Sequence, residues 1–352
     1  MTQNDIVQKL WNLCDVLKDD GINYSDYVSE LVMLLFVKMV DELDDEFSTL
    51  AKIYPEQYKW SHFKDHNGIE LLNFYKQMLL DLSQNQNELI ASIYANAQTR
   101  LREPRHLQQL INEFDKLDWF SIKADGLGDL YEGLLEKNAT ETKSGAGQYF
   151  TPRPLINSIV RCIQPKPSEV IQDPACGTAG FLIAADAYIR QHHDLYALTE
   201  QETQFYTLDA FVGVELVPNT RRLAQMNCLL HDIGGEQGAI NLGNSLGPVG
   251  QALAKADVIL ANPPFGTSKG GEASITRDDL PFNTSNKQLA FLQHIYKNLK
   301  PGGRAAVVLP DNVLFEAGQG TAIRQDLMNK CNVHTILRLP TGIFYAQGVK
   351  TN

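Results

Sequence analysis

The chain has 352 residues, 43% of them hydrophobic, which is enough for two packed domains, and it carries a formal net charge of −11. That charge argues against a protein that grips nucleic acid unaided, because the phosphate backbone attracts Lys and Arg. No stretch is long and apolar enough for a membrane span, residues 1–5 lack the basic-then-apolar order of a secretory signal, and five scattered cysteines (Cys14, Cys162, Cys176, Cys228, Cys331) predict reduced thiols in the cytoplasm.

Up to about residue 140 apolar residues recur at three and four. The sets Ile6-Leu10-Leu13-Leu17, Tyr27-Leu31-Leu34-Leu35-Met39-Leu43 and Leu71-Leu72-Tyr75-Leu79-Leu82 predict amphipathic helices. Asp26 is placed to cap the second of these, and Gly68 to mark a break before the third. This part holds 24 acidic against 13 basic side chains and no catalytic constellation, so its predicted work is packing, partner contacts or DNA contacts. Lys143-Ser144-Gly145-Ala146-Gly147 predicts a flexible joint, giving domains 1–142 and 143–352.

Beyond the joint, strands predicted at Glu169–Asp173, Phe211–Leu216, Gly238–Leu242, Val258–Ala261, Ala305–Leu309 and Val333–Leu339 alternate with helices. Such alternation predicts an α/β fold with a doubly wound, mostly parallel sheet, preceded by the all-helical domain. The first strand runs into Pro174-Ala175-Cys176-Gly177-Thr178-Ala179-Gly180 and then a helix from Phe181 to about Arg190. Its glycines let a ligand approach the backbone, the helix start offers N–H groups to a carboxylate, and Asp173 can meet a cation. The methionine end of S-adenosylmethionine carries both groups. The loop is neither Gly-x-Gly-x-x-Gly nor a P-loop, so dinucleotide and phosphate sites are disfavoured. Glu215, at the end of the second strand, is placed to hold ribose hydroxyls, although a solvated strand-end carboxylate would have the same sequence.

Asn262-Pro263-Pro264-Phe265 follows the apolar run Val258–Ala261. Two prolines hold it extended and remove two donors, leaving the carbonyls and the Asn262 amide oxygen to accept. An exocyclic amine on a flat base would find two acceptors there and an aromatic face, Phe265, on which to stack. The Gly-, Ser- and Thr-rich stretch from Gly266 to Lys287 predicts a long loop beside the acceptor motif. Thr335–Pro340 predicts a strand, residues 341–348 its hairpin connection, and Val349–Asn352 the start of a partner strand. Cys176 reads as a small packing residue rather than a nucleophile, and His192-His193 lack spaced partners, so no metal site is predicted.

Residues 147–153 (Gly-Gln-Tyr-Phe-Thr-Pro-Arg), Asp173 to Gly180, Glu215, Gly243-Asn244-Ser245-Leu246, Asn262 to Phe265 and the run from Pro301 to Pro310 stand in one order. That order resembles the amino-methyltransferases of DNA, and most closely the modification (M) subunits of type I restriction–modification systems, over nearly the whole chain. The resemblance implies site-specific adenine-N6 methylation with S-adenosylmethionine as cofactor and the target base flipped out of the duplex. It places Gln148, Tyr149, Phe150, Thr151, Pro152 and Arg153 on the methionine side of the cofactor, with Asp173, Thr178, Ala179, Gly180 and Glu215 completing that site. Asn262, Pro263, Pro264 and Phe265 would be catalytic, and Asn244, where many relatives have an acid, would assist substrate binding together with Phe265. For the loop from Gly266 to Lys287 the resemblance implies mobility without DNA and a part in holding or covering the flipped nucleotide; a plain surface loop is the other reading. Implied partners are DNA, a specificity subunit, a second copy of this chain and a restriction (nuclease/translocase) subunit. Family members continue past residue 352, so the chain reads as truncated at its C-terminal end. N4-cytosine methylation, RNA or protein amino-methylation, and a non-catalytic assembly role remain as alternatives.

Overall fold

The computed structural model describes residues 3–19, 21–22, 26–43, 48–119, 122, 126–141, 151–265, 275–340, 342–344 and 350–352. They belong to two compact units, one of residues 1–144 with 225–238 and one of residues 145–224 with 239–352.

The first unit is helical, with α1 (Gln3–Asn12), α2 (Cys14–Asp19), α3 (Tyr27–Glu42), α4 (Gly68–Ser83), α5 (Glu88–Tyr94), α6 (Pro104–Asp115) and α7 (Leu127–Glu141). The predicted periodicity is realised in α4, which buries Leu71, Leu72, Tyr75, Met78, Leu79 and Leu82 along one stripe. Asn87 caps α5 by accepting from the backbone N–H groups of Leu89 and Ile90. Asp26 flanks α3 but does not cap it. Its backbone is helical rather than extended (φ −101°, ψ −9°), and its carboxylate pairs with Arg100 at 2.5 Å. Residues 225–238 join this unit through packing: the Tyr131 hydroxyl donates to Met226 Sδ at 3.4 Å, and the His231 ring lies so close to Gly128 that a Cβ there would come within 2.4 Å of it.

The second unit carries β1 (Ile171–Asp173), β2 (Phe211–Glu215), β3 (Ile240–Leu242), β4 (Ala256–Ala261) and β5 (Leu299–Val307) in the order β3-β2-β1-β4-β5, every pair parallel. The expected doubly wound sheet is therefore found, and it is wholly parallel. β1 is buried along its whole length and β4 nearly so, as central strands of a sheet covered on both faces must be. The helices that place the site are α8 (Arg153–Ile163) before β1, α9 (Gly180–His192) after it, and α10 (Lys287–Asn298) between β4 and β5.

Two strand predictions are corrected. β5 begins at Leu299 and takes in Pro301-Gly302-Gly303; a Cβ at Gly303 would stand only 3.0 Å from the Asp257 carbonyl, so glycine is what lets the chain approach there. Val333–Leu339 forms no strand: Val333, Ile336 and Leu337 are exposed, and the Leu339 N–H pairs with Thr351 alone. Residues 350–352 instead run antiparallel to 309–311, bonded through Leu309, Asp311 and Asn352. The joint at 143–147, most of the predicted hairpin connection and residues 266–274 of the predicted loop lie outside the described residues.

Candidate active site

The strand order reverses at β1. The chain leaves β1 toward β2 and β3, and later returns through β4 on the other side, where Ile171 pairs with Val258 and Gln172 with Ile259. Connections leaving β1 and β4 diverge, and a crevice opens at their carboxyl ends. Thr151, Asp173, Gly177, Thr178, Phe181 and Asn262 are among the residues that line it.

The loop after β1 is shaped by left-handed residues, Gly177 (φ 55°) and Ala179 (φ 70°), which turn the chain into the first turn of α9. Among the described residues the space above Gly177 is open, since a Cβ there would meet nothing within 4 Å. Arg153, at the start of α8, donates from Nη1 to the Gly180 carbonyl at 3.3 Å. Pro152 precedes that helix, and Gln148, Tyr149 and Phe150 lie outside the described residues. Cys176 is buried against Gly213, whose missing Cβ would stand 3.0 Å from its sulfur, which agrees with a packing role.

Asp173 is buried at the tip of β1, with Oδ1 accepting from the Ala175 N–H at 3.0 Å. Burial pushes its carboxyl up to about 8; the Ala175 bond opposes the shift and the nearby Glu215 adds to it. A desolvated carboxylate of this kind favours a cation beside it. Glu215 holds the loop, accepting at Oε2 from the Gly177 N–H (3.1 Å) and at Oε1 from the Val217 N–H (2.8 Å). Burial raises its carboxyl as well, against those backbone bonds.

At the tip of β4, Asn262 Nδ2 donates to Thr151 Oγ1 at 2.8 Å, so the amide plane is set by a residue from the segment before α8. Phe265 is only 8% exposed. It packs with Leu155, Val308, Leu339 and Phe344, edge-to-face with Phe344 at 5.5 Å. Asn244 is not among the lining residues. Its Oδ1 accepts from the Leu246 N–H at 2.9 Å, closing an Asx turn.

Two contributors were missed in the sequence. Gln288, on α10, donates from Nε2 to the Pro264 carbonyl at 2.7 Å. Arg277 is buried and reaches Asp279, the Ser245 carbonyl and His294, tying down the later part of the segment expected to be mobile. Only a buried glutamine two residues into a capped helix could have hinted at the first.

Residues 122–352 match the N-6 DNA methylase family, and residues 6–114 match the HsdM N-terminal domain. The chain belongs to the N-6 DNA methylase family. Along its full length it is 55% identical to the EcoKI methylase subunit of the type I restriction enzyme of Escherichia coli K12 and 54% identical to the StySPI methylase subunit of Salmonella potsdam, covering 67% of each. The crystal structure of the EcoKI M protein shares 50% identity at a TM-score of 0.55, over 99% of this chain and 65% of that one. A chain from a structural study of type I restriction–modification complex assembly shares 28% identity at a TM-score of 0.79, over 100% of this chain and 74% of that one. This methylase therefore spans about two thirds of the length of the relatives it matches. Its class is that of an adenine-N6 DNA methyltransferase, the modification subunit of a type I restriction–modification system.

Proposed function

We propose that the crevice between β1 and β4 binds S-adenosylmethionine on the β1 side and a flipped adenine on the β4 side, and that Asn262 and Pro263 present the adenine amine for methylation. The residues fit that cofactor. A desolvated Asp173 attracts its ammonium, the open space over Gly177 admits a ligand close to the backbone, and the N-terminus of α9 faces a carboxylate favourably. When bound, the cofactor supplies a sulfonium-activated methyl group. Arg153, Thr178, Ala179 and Gly180 would frame its methionine end together with residues 148–152, and Glu215 its ribose.

Adenine N6 is a poor nucleophile because its lone pair is delocalised into the ring. Acceptors at Asn262 Oδ1 and the Pro263 carbonyl would take its two hydrogens and favour a localised lone pair. Phe265 would stack on the base once that base has left the duplex, and Asn244, on the segment after β3, would assist. The observation that carries the reading is the Thr151–Asn262 bond, which holds the acceptor amide beside the buried Asp173 in one crevice.

Residues 1–142 would contribute partner or DNA contacts and residues 143–352 catalysis. A net charge of −11 supports reliance on a DNA-reading specificity subunit, with a second copy of this chain and a restriction subunit completing a cytoplasmic assembly. Labelled methyl transfer to duplex DNA by the full chain with its specificity partner tests the reading. The product expected is N6-methyladenine, and Asn262→Ala is expected to slow transfer roughly 10²- to 10³-fold while cofactor binding persists. Transfer to cytosine, or an Asn262→Ala enzyme at wild-type rate, would overturn it.

A further inference from the structure

The tetrapeptide after β4 is anchored at both ends. Upstream, the Ala261 carbonyl accepts from the Val308 N–H at 2.9 Å; downstream, the Phe265 ring is packed into its apolar cluster. Between these anchors most backbone angles are restrained by proline. The rings set φ at Pro263 and Pro264, and a following proline confines ψ at Asn262 and Pro263 to the extended region. Past the Asn262–Pro263 bond, ψ of Pro264 is the first backbone angle of the motif that no proline restrains. It decides how the acceptor oxygens of Asn262 and Pro263 stand relative to the Phe265 ring.

Among the described residues, the side chain that addresses that angle is Gln288. Gln288 is 1% exposed and donates from Nε2 to the Pro264 carbonyl at 2.7 Å. Its own backbone is held, because Asn286 caps α10 by accepting from the N–H groups of Gln288 (3.0 Å) and Leu289 (3.2 Å), and Asn286 Nδ2 donates in turn to Glu316 at 2.6 Å. A donor delivered from a capped helix start is a rigid one.

We propose that Gln288 is a positioning residue for methyl transfer, orienting the Pro264–Phe265 peptide so that the two acceptor oxygens and the aromatic ring meet one base in a single geometry. Thr151 does the same for the Asn262 amide, and the motif is thereby clamped from α10 at one end and from the segment before α8 at the other. This inference rests on the reading of Asn262 to Phe265 as the amine-holding motif. Gln288 is not among the residues that line the crevice, so its loss is expected in the rate of the chemical step rather than in binding.

The test uses the full chain with its specificity partner and compares Gln288→Met, which keeps length and volume but removes the donor, with Gln288→Leu as a second variant should the first fold poorly. A displacement of the acceptors by about an ångström predicts a single-turnover rate lowered roughly 10- to 100-fold, with dissociation constants for cofactor and duplex DNA unchanged. A folded variant that transfers methyl groups at the wild-type rate would overturn the proposal. So would a loss of activity that merely parallels weaker cofactor binding, the mark of a packing role. Asn262→Ala measured alongside separates the two readings: if it retains activity, the acceptor motif itself is misassigned, whereas if it is inactive and Gln288→Met is not, only the role of Gln288 falls.

Discussion

In the helical unit the buried carboxylate of Glu30 accepts from the Thr99 hydroxyl (2.8 Å) and the Arg100 N–H (2.7 Å), so its charge is answered from within the fold. In the sheet unit the equally buried Asp173 accepts one backbone bond and has a like charge, Glu215, nearby. Burial raises both carboxyls; at Glu30 the Arg100 N–H and the Thr99 hydroxyl oppose the shift, whereas at Asp173, where Glu215 adds to it, the carboxyl is pushed up to about 8. Both units bury acids; one uses the acid to join its own segments, and the other leaves it lining the crevice, where the proposed function has a ligand's cation answer it.

The largest effect that would sharpen this contrast lies in the helical core. Trp60 is buried, stacks on Phe63 (5.2 Å) and Phe114 (6.0 Å), and donates to Asp115 at 2.8 Å. Trp60→Ala is expected to cost about 3–5 kcal/mol in chemical denaturation, while the molecules that remain folded bind cofactor as the wild type does. A parallel loss of cofactor affinity would break the division of labour.

Next comes Asp173. Asp173→Asn is expected to weaken S-adenosylmethionine binding by about 2–4 kcal/mol in calorimetry, because an amide carries no charge to answer an ammonium. Its folded-state pKa is raised, so the neutral carboxyl favours the fold: that contribution is complete below the ordinary carboxylate range and is lost as pH rises through about 8. The ligand-free Asn variant should therefore gain in thermal stability on the wild type as pH climbs from about 4 toward about 8. Over the same range, wild-type cofactor affinity should rise with pH, by at most about tenfold per unit, and that of the variant should not. A flat wild-type profile would show that the ionised carboxylate is not what the cofactor meets.

The smallest effect is at Glu30. Glu30→Gln keeps the shape and can still accept, but it weakens two charge-assisted bonds; about 1–2 kcal/mol of stability is expected to go, with methyl transfer unaltered.

The parts of the fold legible in the sequence were those written in local pattern. Helical stripes such as Leu71 to Leu82, the buried runs that became β1 and β4, and the glycine loop before α9 all follow from periodicity, burial and backbone freedom within a few residues. Val333–Leu339 shows the limit of that reasoning. Its composition suits a strand, yet a strand exists only where a neighbour supplies a ladder, and the 350–352 segment forms its ladder with 309–311 while giving Val333–Leu339 a single bond, from the Leu339 N–H to the Thr351 carbonyl. Asp26 failed as a cap for a similar reason, since Arg100, 74 residues away, took its carboxylate.

By itself the sequence determined which chemical groups stand at the strand tips: a carboxylate after β1, a second after β2, and acceptors stripped of donors by two prolines after β4. These follow from residue identity and from strand register that hydrophobic burial dictates. Tertiary structure alone decided that Thr151, 111 residues from Asn262, would orient its amide, that Gln288 would hold the Pro264 carbonyl, and that Phe265 would lie edge-to-face with Phe344. Such partners are chosen by how helices and loops pack around the crevice, and a hydrogen bond between distant segments leaves no periodic mark in either of them.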